Sequence, residues 1–229
     1  MRFFDRALVN GRSIRVRSTE RSDGDFSVGH VGPELDARRR AVVDRPWVWL
    51  SQEHGTSCVD VDDVGLDGAR GAAADASVTT RTDLALSIQT ADCIPLALWS
   101  DDGVIAAVHA GWRGLEAGVI EVAIRSMQAQ TSAPLSAFIG PSIGPECYEF
   151  GVTDLDRLEA TFGPGIRATT NDGHLALDVR AGVRSELLRL DVATEVDDDA
   201  CTACAGNFFS HRERADTARQ ATVIWIEEA

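Results

Sequence analysis

The sequence predicts a mixed α+β fold, and three observations carry that prediction. Runs of β-branched, aromatic and aliphatic residues alternate irregularly with segments of helical period. Several of those runs are joined by short turns of hairpin type, which a doubly wound parallel sheet would not use. No internal repeat, low-complexity tract or Pro/Ser-rich linker interrupts the 229 residues, so residues 1–229 read as a single domain with one core.

Each element follows in order. The segment up to about Val31 is polar and punctuated by glycine, with a strand-like piece at Ser13 to Val16. Glu34 to Val43 has helical character and carries the cluster Arg38, Arg39, Arg40. Trp47-Val48-Trp49-Leu50 is a strand-like run that stops just before His54. Residues 60–83, rich in Asp, Gly and Ala, predict a loop with one short strand. Leu84 to Gln89 and Ile94 to Trp99 are apolar runs on either side of Thr90-Ala91-Asp92-Cys93. Asp101-Asp102-Gly103 is a turn, and Val104 to His109 a further strand. Apolar positions at helical spacing predict one helix over 115–130. A short strand at Ala137-Phe138-Ile139 leads into Gly140-Pro141-Ser142-Ile143-Gly144-Pro145, a loop rigid enough to shape a pocket wall or simply to turn the chain. Helices are expected over Thr153 to Phe162 and about Val179 to Leu190, with a loop near Asn171-Asp172-Gly173 between them. The acidic run Glu195 to Asp199 leads to Cys201, and the chain ends in a strand, Ala221 to Ile226.

Composition narrows the function. The net charge of −14 repels DNA, RNA and anionic membrane surfaces, so neither nucleic acid nor membrane is an expected partner. No apolar stretch reaches the roughly 18 residues of a membrane span, and the charged start offers no apolar signal-peptide run. A cytoplasmic protein is expected, as a monomer or homodimer. All 22 basic residues are Arg, which excludes a Schiff-base lysine and a P-loop lysine. The five cysteines are odd in number, and without an export signal they are expected as reduced thiols.

His54, Cys93 and His109 each fall at the end of a strand-like run, where a rigid sheet can aim them into one cleft. Imidazole and thiolate are preferred zinc ligands, and three protein ligands with an open position form the catalytic rather than the structural pattern. Their separations of 39 and 16 residues match no local motif, so spacing alone also suits a buried cysteine and two unrelated histidines. Cys201-Thr202-Ala203-Cys204 is half of a zinc-ribbon signature. No second such pair exists, and the βαβ context of a redox dithiol is absent, so the pair reads as structural. Arg38, Arg113 and Arg212 are candidates for gripping an anion, since a guanidinium forks onto phosphate or carboxylate oxygens.

Three blocks together stop looking generic: Gln89-Thr90-Ala91-Asp92-Cys93-Ile94-Pro95, Val108-His109-Ala110-Gly111-Trp112-Arg113-Gly114-Leu115, and Ile139-Gly140-Pro141-Ser142-Ile143-Gly144-Pro145-Glu146-Cys147-Tyr148-Glu149. They resemble the YfiH-like family, also called laccase-domain or polyphenol-oxidase-like, whose members are described as purine nucleoside phosphorylases. Leu177-Asp178-Val179, Cys201-Thr202 and Phe208-Phe209-Ser210-His211-Arg212 continue the resemblance over nearly the whole chain. It implies a sandwich-like arrangement of mixed, largely antiparallel sheets flanked by helices. It implies zinc held by His54, Cys93 and His109, with copper as the alternative metal. The implied substrates are adenosine, inosine, guanosine and methylthioadenosine, cleaved with phosphate, and some members are also credited with adenosine deamination. The chain departs from the family at Glu53, where valine is usual, and at His211, where tyrosine is usual. The family's N-terminal N-R pair appears as Ala37-Arg38.

In such a phosphorolysis the metal and arginines would orient phosphate, and a general acid would protonate the departing purine; Asp92 and Glu149 are the candidates. For deamination Glu53 is a candidate proton shuttle, although neighbours in a strand face opposite ways. Two further readings compete. Cys93 could be the nucleophile of a Cys-His hydrolase with His109 or His54 as base. The chain could instead be a structural zinc protein acting through a partner. A copper-dependent polyphenol oxidase is harder to build, because a multicopper site needs more histidines than His30, His54, His109, His174 and His211.

Overall fold

The computed structural model describes residues 1–8, 11–29 and 32–228; His30 lies outside the described residues. Strands β1 (Arg2–Ala7) and β2 (Ser13–Ser18) form an antiparallel pair, followed by helix α1 (Pro33–Val42) and the short strand β3 (Trp47–Val48). Strand β4 (Cys58–Asp60), helix α2 (Val61–Ala69) and strands β5 (Ala76–Thr79), β6 (Ala85–Thr90), β7 (Ile94–Ser100) and β8 (Ile105–Ala110) come next. Helices α3 (Trp112–Ala117) and α4 (Val119–Gln128) precede β9 (Leu135–Ile139), α5 (Val152–Phe162), β10 (Arg167–Thr169), β11 (Leu175–Leu177) and α6 (Val179–Arg189). The chain closes with β12 (Ala193–Asp197), α7 (His211–Arg214) and β13 (Gln220–Glu227).

Two sheets dominate. One has the order β1-β2-β13-β6-β3, the other β12-β9-β7-β8-β5-β4, and β10-β11 make a separate ribbon. Pairing is antiparallel except at β3–β6, β4–β5 and β12–β9, so the expected mixed, mainly antiparallel α+β fold is present. The two-residue side-chain period explains the layering. Ile14 and Val16 of β2, Leu86 and Ile88 of β6 and Ile224 and Ile226 of β13 pack with Ala97, Trp99, Ile105 and Ala107 of the second sheet. The alternate residues Ala221, Val223 and Trp225 face outward onto Leu35 of α1. On the far side, Leu96, Leu98, Ala106 and Val108 pack under α3, α4, α5 and α6. The sandwich therefore has helices outside both sheets, and β7 is buried along its whole length because both of its faces are covered.

Several elements depart from the sequence expectations. Residues 61–69 form two short helical turns on either side of a kink at Gly65 (φ 73°), although the segment is Asp- and Gly-rich; Asp60 caps the start, accepting from Asp62 N, and Val61 and Ala69 are buried. The single helix expected over 115–130 is divided at Gly118, whose φ of 95° is left-handed. Strand β1, the ribbon β10–β11 and the largely exposed β12 have no counterpart in the sequence expectations: β10 and β11 are only three residues long, and β1 and β12 lack an alternating apolar pattern. The turn at Asp101–Gly103 does join an antiparallel hairpin, β7–β8. The two runs around Thr90–Cys93, by contrast, lie in different sheets.

Candidate metal centre

That crossing builds the site. Residues 91–93 carry the chain from β6 in one sheet to β7 in the other, and residues 49–57 carry it from β3 to β4 in the same sense. Both connections meet at the end of β8. The period of β8 puts His109 on the inter-sheet side with Ile105 and Ala107. Gln52 ties the two connections together: its amide donates to Gln89 O at 2.7 Å and accepts from Gln89 N at 2.9 Å. This pins the loop that carries His54 to the end of β6.

His54, Cys93 and His109 converge, with one ligand atom from each lying within 4.8 Å of the others. Cys93 Sγ is 3.6 Å from His54 Nε2, and the two imidazole rings meet edge to face with centroids 4.8 Å apart. His109 is buried and His54 exposed, so the cluster has a closed back and an open front. Two of the four non-glycine residues with positive φ among the described residues sit here, His54 at φ 60° and Asp92 at φ 103°. Such strain persists only where the surroundings hold it, and it gathers at functional sites.

Asp75, which sequence reasoning did not single out, supplies that hold. Its carboxylate, 1% exposed, accepts from His109 Nδ1 at 2.8 Å. It also accepts from the backbone N–H groups of Glu53, His54 and Gly55 at 3.2, 2.9 and 2.7 Å. One carboxylate thus fixes the His109 tautomer, leaving Nε2 for the cluster, and sets the His54 loop. Burial alone would raise its carboxyl, but the His109 contact and these N–H groups hold it below the usual range. The same balance acts on the ligands. Burial would raise the Cys93 thiol, yet His109 and His54 hold it down to about 6. Burial would lower His109, yet Cys93 and Asp75 push it up to about 9. The thiolate and imidazole donors suit a thiophilic, nitrogen-binding cation such as zinc.

The cluster lines a cavity of about 580 Å³, within the usual range for small-molecule sites. Arg113 and Arg212 line it as well, each guanidinium lying over an aromatic ring, Trp112 at 4.3 Å and Tyr148 at 4.8 Å. Arg219 also lines it, a residue without sequence signal. Arg38 does not: it donates to Asp25 O at 2.9 Å, behind a loop whose residues Ser27, Val28 and Gly29 form part of the wall. Asp92 borders the cavity, but Oδ1 accepts from Thr202 Oγ1 and Oδ2 from Arg212 N, both at 2.7 Å. Glu53 and Glu149 are absent from the lining, and Glu149 instead pairs with His174 at 3.4 Å.

Known proteins match the chain over nearly its whole length. A family model described as multi-copper polyphenol oxidoreductase laccase matches residues 24–227. A Mycobacterium tuberculosis protein named purine nucleoside phosphorylase is 36% identical over 242 residues, covering 94% of both chains. A Corynebacterium glutamicum protein of the same name is 36% identical over 235 residues, covering 94% of this chain and 95% of the relative. Among solved structures, the Neisseria meningitidis protein NMB0706 covers 100% of both chains with a TM-score of 0.80 and 26% identity. Bacillus licheniformis YfiH shares the fold with a TM-score of 0.76 at 22% identity, covering 97% of this chain and 96% of its own. No helix among the described residues is long and apolar enough to cross a membrane.

Proposed function

We propose, from the premise that the chain belongs to the YfiH-like, laccase-domain family, that it is a zinc-dependent purine nucleoside phosphorylase. The observation that carries this reading is the convergence of His54, Cys93 and His109 at the wall of a cavity that Arg113, Arg212 and Arg219 also line. The substrates under this reading are adenosine, inosine, guanosine and methylthioadenosine, split with phosphate into base and sugar 1-phosphate.

His54, Cys93 and His109 would hold the metal, which supplies positive charge for an anionic co-substrate. Arg113 and Arg212 flank the same space and provide fork-shaped donors for phosphate oxygens. Their aromatic neighbours restrict where those guanidinium planes lie, which lowers the entropy lost on gripping the anion. Trp112 and Tyr148 offer aromatic surface for a purine. Placing phosphate and nucleoside together is the main contribution, because the attack gains most from orientation and charge neutralisation. Asp92 acts by position: its two bonds hold Thr202 and the start of α7, and so place Arg212 beside Cys93.

The test is product analysis of the zinc-loaded protein with adenosine, with and without phosphate. Adenine and ribose 1-phosphate that appear only with phosphate are expected. Inosine formed without phosphate would identify deamination as a second activity, and absence of all these products sinks the reading. One observation favours a second reading: the low-lying Cys93 thiol beside two imidazoles resembles a nucleophile with its base. A Cys-His hydrolase would be inactivated by iodoacetamide yet indifferent to chelators, whereas the phosphorylase loses activity to chelators.

A further inference from the structure

A second donor cluster lies outside the cavity. Glu146, Cys147, Cys201 and Cys204 each offer one ligand atom, and these four atoms lie within 4.8 Å of one another. Cys201 and Cys204 form the C-x-x-C pair whose partner ligands were not apparent along the chain. Folding supplies them from the loop that follows β9, where a short 3₁₀ turn spans Pro145–Cys147.

The surroundings are built for this convergence. Ser142 and Cys201 form a parallel bridge, with Thr202 N donating to Ser142 O at 3.0 Å, so the two loops run side by side. Gly144 has no side chain, and the Glu146 carboxylate folds into the space where a Cβ would stand. Gly144 N donates to Cys201 Sγ at 3.2 Å, the kind of N–H···S bond that orients a metal-bound sulfur. Cys204 Sγ lies 3.5 Å from Glu146 Oε1. Buried Cys201, half-buried Glu146 and Cys147 and exposed Cys204 leave an entry from solvent.

We infer that Glu146, Cys147, Cys201 and Cys204 form a second, structural metal site, selective for zinc or a similarly thiophilic divalent cation. Three sulfurs and one carboxylate oxygen make a closed four-donor set, and tetrahedral zinc with Zn–S near 2.3 Å needs sulfurs about 3.8 Å apart. The C-x-x-C spacing is the usual chelating half of such a site. The site differs in kind from the His54–Cys93–His109 cluster, which has only three donors and an open front. It also stands independently of the reaction proposed above.

Its position gives it a task. Ile143 N donates to Asp92 O at 2.9 Å, and Thr202 Oγ1 donates to Asp92 Oδ1 at 2.7 Å. The two loops the cation would join therefore both brace the residue before Cys93. Metal here cross-links residues 144–147 to 201–204 and stiffens the turn that presents Cys93.

The experiment is metal analysis of the full chain, purified with thiol reductant and zinc and then freed of loose metal by gel filtration. Two zinc ions per chain are expected in the unaltered protein, and one in Cys204→Ala and in Cys147→Ser/Cys204→Ser. One is also expected in His54→Ala, and none in the combined His54→Ala/Cys147→Ser/Cys204→Ser chain. Because Cys204 is exposed, Cys204→Ala keeps the fold, which circular dichroism checks. In parallel, cobalt(II) loaded into His54→Ala should give intense thiolate charge-transfer absorption, which Cys204→Ala added to that background weakens. A zinc content near one per chain that the cysteine substitutions leave unchanged overturns the inference. So does a disulfide between any two of these cysteines in freshly purified, metal-supplemented protein, seen as a loss of 2 Da by mass spectrometry (about one mass unit per thiol proton).

Discussion

Asp75 Oδ1 lies 2.8 Å from His109 Nδ1, with both side chains buried, and the same carboxylate receives the backbone of the His54 loop. One acidic residue thus aims two of the proposed ligands at once. Asp75→Asn removes the charge and forces an amide N–H₂ against N–H donors, either at Gly55 and Glu53 or at His109 and His54. Zinc affinity should fall about 10- to 100-fold, as for other partners of metal-bound histidine. Competition against a chromophoric chelator measures it, and an affinity within threefold of the parent would contradict this role for Asp75.

Zinc affinity at the His54–Cys93–His109 cluster should rise with pH across the neutral range. Cys93 is held down to about 6 and His109 pushed up to about 9, so between these values the metal-free pair is thiolate and imidazolium. A metal needs both as free bases, so binding expels the His109 proton. Affinity should climb about tenfold per pH unit from about 6 to about 9 and level off above. For the metal-free fold the sign differs between partners. The raised His109 stabilises below its ordinary 6.5 and loses that contribution as pH rises through about 9. The depressed Cys93 stabilises above its ordinary 9.0 and loses that contribution as pH falls through about 6. Calorimetry at pH 7.5 in buffers of different ionisation enthalpy should report about one proton released per zinc bound at this cluster, in a chain carrying Cys147→Ser/Cys204→Ser. Release of no proton would refute the assignment.

Much of this centre is legible along the chain, for identifiable reasons. His54, Cys93 and His109 stand at the ends of strand-like runs, and ligand chemistry marks them before any contact is known. Asp75 is not legible in the same way, because its partners lie 20 to 34 residues away and only folding brings them together. A single acidic residue within Ala72-Ala73-Ala74-Asp75-Ala76, leading into a strand, is nevertheless a buried carboxylate in need of a donor. The direction of Arg38 is not legible for a related reason: an arginine cluster shows charge but not direction, and Arg38 turns toward Asp25 O. The Asp and Gly content of α2 masks its helical turns: burial of Val61 and Ala69 at its two ends outweighs the poor propensity there, while Gly65 still kinks the middle.

Gly111→Ala isolates the steric demand of the cluster. Gly111 has φ −71°, which alanine adopts without strain, and alanine in place of glycine at this helix N-cap costs no more than about 1 kcal/mol. The new Cβ, however, would stand 2.5 Å from His54 Cδ2 and 3.2 Å from Cys93 Sγ. His54 has to swing away, so zinc at this cluster should bind at least tenfold more weakly while the metal-free melting temperature changes by no more than a few degrees. Equal zinc affinity in the variant would mean that His54 does not need its observed position.

Asp92 is the residue whose role geometry redirects most. As the general acid its carboxyl would need a proton and a free oxygen toward the purine, but both oxygens already accept hydrogen bonds, from Thr202 Oγ1 and Arg212 N. Asparagine can keep both contacts, its oxygen accepting from Arg212 N while its amide donates to a rotated Thr202 hydroxyl. It also tolerates the left-handed φ of 103° better than other neutral residues. Removing a true general acid costs about 10²- to 10⁴-fold in rate. Asp92→Asn should instead change phosphorolysis by less than tenfold and leave the shape of its pH profile intact. Asp92→Ala loses both bonds, frees the start of α7 and the turn before Cys93, and should lower zinc affinity and kcat together. Measured as kcat and KM for adenosine across pH alongside zinc content, a collapse of kcat in Asp92→Asn with full zinc would restore Asp92 as the acid. Retained activity would leave it a positioning residue and make Tyr148 and His211, which line the cavity, the candidate proton donors.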